Sequence, residues 1–267
     1  MCLILFALQQ HSEFPLVVIA NRDEYYARPT RSAHWWQDSE GIFAGRDLQA
    51  QGTWMGVNKN GRFAAVTNVR EPGMLAPARL SRGVLPREFL AGDEAAETFI
   101  EQIKSEADDY AGFNLLIGDS AGLFFYSNRQ AGVIQIPAGI HGISNGLFDE
   151  SWPKLNSGKQ DLARVLADDP DTNDLMRILT DNSIAEDEHL PDTGVSLDIE
   201  RMLSSRFIRS ADYGTRACSV VKFNNHNQIS FVEQNYADAG TIGALITEQI
   251  EIANKFAAGA SGQVTNR

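Results

Sequence analysis

The chain has 267 residues, 43% of them hydrophobic and 22% charged, and 35 acidic against 23 basic residues give it a net charge of −12. That is ample material for one large core, and the acidic field repels a nucleic-acid backbone rather than attracting it. Two cysteines are too few for a disulfide framework, and the longest apolar runs fall far short of a stable membrane insertion.

The amino-terminal third reads as strands. Cys2–Leu8 and Leu16–Ala20 are apolar runs parted by a polar turn at 9–14, which predicts a hairpin. Thr53–Val57, the turn Asn58-Lys59-Asn60-Gly61 and Arg62–Thr67 mark a second one, and Asn60-Gly61 suits the left-handed φ of a primed turn. Over 82–109 the period becomes helical: Ala95, Phe99, Ile100 and Ile103 share one face, and Asp93 and Glu94 favour its start. Strands resume at Phe113–Gly118, Leu123–Tyr126, Val133–Ile136 and Ile140–Ser144. A helical block is expected over 151–208, where Leu162, Val165, Leu166, Leu175, Ile178 and Leu179 recur at helical spacing. Ala217–Phe223 and Ile229–Glu233 then form a last hairpin, and the tail from 240 to 257 reads as a closing helix.

Hairpins interrupted by helical blocks predict an α+β protein. The simplest closure is a four-layer α/β/β/α sandwich, with Cys2 opening a central strand and the second hairpin beside it. No Pro-, Gly- or Ser-rich linker appears, so residues 1–267 are expected to form one domain. No basic segment precedes the first apolar run, which argues against a signal peptide. With so few cysteines, the expectation is a cytoplasmic protein.

Cys2 is the first candidate for chemistry. Removal of Met1 would leave one residue with a thiol and an α-amine of pKa about 7.7–8.0, able to serve as base for its own thiol. A small apolar residue opening a buried strand is the competing reading. Arg22 and Asp23 follow the second apolar run, where an arginine lowers a thiol's pKa and a carboxylate accepts from an amine; an exposed ion pair in a turn is the alternative. Asn68 and Asn145 end strands, where an amide can donate to an oxyanion or merely shape a turn. Arg216 offers bidentate binding of a carboxylate or carbonyl, or simply a charge at strand entry. Basic residues gather early, at Arg22, Arg28, Arg31, Arg46, Arg62, Arg70, Arg79 and Arg82, and would hold an anion if they converged. The five histidines share no metal-binding spacing, and no phosphate-cradling glycine loop is present. No metal and no resident cofactor are expected.

Met1-Cys2-Leu3, Ala20-Asn21-Arg22-Asp23-Glu24, Gly45-Arg46-Asp47, Gly52-Thr53-Trp54-Met55-Gly56-Val57 and Gly61-Arg62-Phe63-Ala64-Ala65-Val66-Thr67-Asn68 together resemble the NRDE family. That group includes the eukaryotic transport-and-Golgi-organisation proteins. Asn114 to Gly118, Gly142-Ile143-Ser144-Asn145 and Tyr213-Gly214-Thr215-Arg216 continue the likeness. The resemblance implies a relation to N-terminal nucleophile hydrolases of the penicillin acylase and bile-salt hydrolase type. By it Cys2 would be the nucleophile of an amidohydrolase or acyltransferase acting on a non-peptide C–N amide bond. Asp23 would position the amine, Asn68 and Asn145 would line the oxyanion site, and Arg216 would match a late active-site arginine. Arg22 and Asp23 are adjacent here, whereas those hydrolases space them apart, and adjacent strand residues face opposite ways. The family's eukaryotic members also imply a second function, a non-catalytic carrier of haem or an acyl-CoA-like ligand. Either way the expected partner is a small molecule.

Overall fold

The computed structural model describes residues 2–73 and 78–256, with Cys2 described by its backbone alone. β1 (Cys2–Leu8) and β2 (Leu16–Tyr25) form the first hairpin. The chain then runs an antiparallel meander of seven strands: β3 (Thr30–Trp35), β4 (Ile42–Asp47), β5 (Met55–Asn58), β6 (Phe63–Asn68), β7 (Phe113–Asp119), β8 (Gly122–Ser127) and β9 (Val133–Gln135). β10 (Gly139–Ile143) returns to pair with β1. β11 (Tyr213–Phe223), β12 (Gln228–Tyr236) and β13 (Ile242–Glu251) complete a six-stranded sheet in the order β10-β1-β2-β11-β12-β13. α1 (Val84–Ala91) and α2 (Ala96–Lys104) are inserted between β6 and β7; α3 (Pro153–Leu166), α4 (Thr172–Leu179) and α5 (Leu197–Ser204) lie between β10 and β11.

Strand alternation sorts the apolar residues into three cores. Ile4, Phe6, Leu16, Val18, Phe223 and Phe231 of the six-stranded sheet meet Phe43, Met55, Phe63, Leu116 and Phe125 of the meander. On the other face of the first sheet, Leu3, Leu5, Val17 and Ile19 pack under Leu155 and Leu162 of α3 and Leu175 and Leu179 of α4. On the outer face of the meander, Ala64, Leu115 and Ile117 pack under Phe89 of α1 and Phe99 and Ile100 of α2. The result is the four-layer α/β/β/α sandwich. Truncating a filled inter-sheet position such as Phe231, which is fully buried, costs about 3–5 kcal/mol.

Three expectations need correction, and two strands went unanticipated. The tail expected as a closing helix is the edge strand β13, whose Ile246, Glu248 and Ile250 lie opposite Glu233, Phe231 and Ile229 of β12. Strands β3 and β4 gave no separate sequence signal. The second hairpin, β5–β6, lies in the facing sheet rather than beside β1. Its turn is not primed either: Gly61 alone takes a positive φ of 80°, while the Asn58 side chain accepts from the amides of Asn60 and Arg62.

Candidate active site

β2 continues to Tyr25, so Arg22 and Asp23 are strand residues and no turn separates them. Both are buried, which rules out the exposed ion pair. The register puts the Cys2 backbone opposite Arg22 on one side of β2, and Ala217 opposite Arg22 on the other. The Cys2 side chain lies outside the described residues. Asn21 fastens this stretch to the helical layer through bonds from its amide to the carbonyls of Leu179 and Arg206, at 2.8 and 2.7 Å.

Arg22 and Asp23 part as alternation requires. The Arg22 guanidinium lies 4.3 Å from the centroid of the Trp54 ring and donates to Thr30 Oγ1 at 3.1 Å. Asp23 turns to β11, where Thr215 Oγ1 donates to it at 2.7 Å. The Thr215 hydroxyl also accepts from the amide of Ile208 at 2.9 Å, which leaves its single proton for Asp23. Burial raises the Asp23 pKa, against the charges of Lys154 and Arg22 and the Thr215 hydrogen bond. Sequence reading quoted Thr215 within a motif but assigned it no role.

Arg22, Asp23 and Asn68 line one open cleft of about 550 Å³. Asn145 stands behind Asn68: its amide donates to the Asn68 carbonyl at 2.8 Å, and its own carbonyl accepts from the Arg70 amide at 2.7 Å. The loop carrying Asn145 is held by Asn114, whose amide reaches the Gly146 carbonyl at 2.7 Å, and by Thr67, which donates to the Ser144 carbonyl at 2.6 Å. Asn68 thus lines the cleft, and Asn145 supports its backbone.

Arg216 occupies a bulge in β11 between Thr215 and Ala217. Its Nη1 donates to the carbonyls of Tyr25 and Tyr26 at 2.9 and 3.0 Å, pinning the turn after β2. It lines a second cleft, also of about 550 Å³, which shares Arg22 and Trp54 with the first.

Of the early arginines, Arg22, Arg28 and Arg82 reach the first cleft. Arg28 is neutralised there by Asp47 at 2.6 Å, with Glu24 at 3.8 Å. Burial alone would raise the Asp47 pKa, but the Arg28 bond and the amides of Gln49 and Ala50 hold it below the usual range. Others pair elsewhere: Arg46 with Asp38, Arg70 with Glu200 and Arg79 with Asp109.

The second cysteine, Cys218, is fully buried on the helical face of β11. Burial pushes its thiol pKa well above the ordinary value.

Comparison with known proteins agrees with this architecture. The family model for Transport and Golgi organisation 2 matches residues 1–238. The Transport and Golgi organization protein 2 homolog of Bos taurus is 29% identical over 261 residues, covering 88% of this chain and 93% of its own. The Transport and Golgi organization protein 2 of Drosophila melanogaster is 24% identical over 264 residues, with coverage of 88% and 92%. Among solved structures, the C2A mutant of conjugated bile acid hydrolase from Clostridium perfringens aligns over the whole of both chains, with a TM-score of 0.51 at 10% identity. That likeness is one of fold. Among the described residues, no helix is long and apolar enough to cross a membrane.

Proposed function

The chain belongs to the Transport and Golgi organisation 2 family, and from the geometry of its cleft we propose that it is an N-terminal cysteine amidohydrolase or acyltransferase acting on a non-peptide C–N amide bond. One observation carries the reading. The strand register sets Cys2 opposite Arg22, next to the Asp23–Thr215 pair, and Asn68 lines the same cleft as Arg22 and Asp23.

The proposed sequence begins with loss of Met1. The freed α-amine takes the thiol proton, and the thiolate attacks the substrate carbonyl. The oxyanion accepts from the Asn68 amide, a contact worth about 3–4 kcal/mol in comparable sites. Collapse breaks the C–N bond, and the α-ammonium returns its proton to the departing amine. An acyl-Cys2 thioester remains, and water or an acceptor amine resolves it. In this scheme the Asp23 carboxyl holds the α-amine in place, and Thr215 fixes that carboxyl. The charged wall of the first cleft favours a polar amide over a haem macrocycle, which would desolvate Arg28 and Asp47.

Intact mass spectrometry tests the proposal. Purified protein should lack Met1 and should gain the mass of the acyl group when incubated with a cleavable amide. The Cys2→Ala variant should gain nothing. A protein without Met1 that binds such amides yet neither forms the adduct nor releases the amine would instead be a carrier.

A further inference from the structure

Resting on that amide-cleaving reading, we infer that the substrate is a small polar amide that straddles two clefts, with a charged, hydrogen-bonding half in the first and a compact acyl or aromatic half in the second. The stacked pair Arg22 and Trp54 lines both clefts, and so forms the wall between them.

The two sides differ in chemistry. On the first, Glu24, Arg28, Asp47 and Arg82 form the wall, and Trp54 and Val66 supply its apolar side chains. An alkyl chain laid there would strip water from the Arg28–Asp47 pair and return no hydrogen bond. An amino-acid-like half, with donors and a carboxylate of its own, would replace that water. On the second side, Tyr236, Ala217 and Ala237 extend the indole surface, with Thr30, Asn235 and Arg216 among them. That surface covers one ring or a few methylenes. Arg22 and Asn68 are both on the first cleft, so the scissile carbonyl belongs at the shared wall, where the halves join.

Calorimetric titration of the Cys2→Ala variant with N-acetyl-, N-butanoyl-, N-octanoyl- and N-dodecanoyl-serine tests the class, with dodecanoyl ethanolamide as the lipid-like comparator. A continuous apolar wall would strengthen binding about fourfold per methylene. The expected result is a plateau after butanoyl, with weaker binding of the ethanolamide. A steady rise through dodecanoyl, or preference for the ethanolamide, overturns the inference. Turnover by the wild-type protein keeps the two ideas apart. A plateau in binding without turnover upholds the ligand class and sinks amide cleavage, whereas turnover of the ethanolamide alone sinks the class and leaves cleavage standing.

Discussion

The indole of Trp54 comes within reach of Arg22 because residue 45 has no side chain: a methyl on Gly45 would lie 2.2 Å from the indole ring. Gly45→Ala should therefore push Trp54 from under the guanidinium and weaken binding in both clefts at once. Overpacking of this kind costs about 1–3 kcal/mol. Thermal unfolding and a ligand titration check it; an unchanged melting temperature with intact binding would mean that the stack is not the shared wall.

The two cysteines should differ sharply in reactivity. Cys218 is fully buried, with its thiol pKa pushed well up by burial. Iodoacetamide should leave it unmodified in folded protein and label it only after denaturation. Cys2, once Met1 is removed, should be alkylated in the native state. Peptide mapping gives the answer, and equal slow labelling at both positions would count against a nucleophilic Cys2.

Glu233 is fully buried on β12, accepting from the Ala33 amide at 2.8 Å and from Asn235 at 3.1 Å. Burial raises its pKa above the ordinary 4.5. In the window between 4.5 and its folded value, the native state therefore holds a proton that the unfolded chain has lost. Stability must then fall as pH rises through that window. Glu233→Gln cannot titrate, so its melting temperature minus that of the wild type should grow as pH rises above 4.5 and level off beyond the raised folded pKa. A difference independent of pH would show that folding does not raise the Glu233 pKa.

Arg70 and Glu200 form a buried ion pair at 2.7 Å, with side chains 6% and 5% exposed. Glu200 also accepts from Thr193, and the Arg70 backbone amide holds the Asn145 carbonyl. Arg70→Met strands the carboxylate and should cost about 3–5 kcal/mol. The double variant Arg70→Met with Glu200→Gln should recover much of that loss, as urea unfolding would measure. No recovery would mean that the arginine acts through packing against Trp152, 5.1 Å away, rather than through its charge.

Much of this was legible beforehand, for physical reasons. Leu3 to Leu8 and Leu16 to Ile19 are apolar on both faces, because one face meets the other sheet and the other meets helices. Such runs announce themselves. β13 does not, since Ile242 and Leu245 are exposed at the sheet edge, and their spacing of three imitates a helix. Arg22, Asp23 and Asn68 line one cleft, while Arg216 lines the neighbouring one and Asn145 holds the Asn68 backbone. Thr215 was passed over in favour of Arg216, because the bulge that turns one to Asp23 and the other to the carbonyls of 25 and 26 leaves no mark in composition or spacing.

The bond from Thr215 to Asp23 spans 192 residues of sequence. A ribosome making this chain at roughly 5–20 residues per second releases Cys2 many seconds before Thr215 exists. Through that interval the nascent chain has its thiol but lacks β11, the strand that flanks β2 and fixes its carboxylate. The Asp23–Thr215 pair, and with it the finished wall beside β2, therefore forms only after β11 has been made. The β2–β11 ladder is a long-range pairing, of the kind whose loop-closure entropy slows folding.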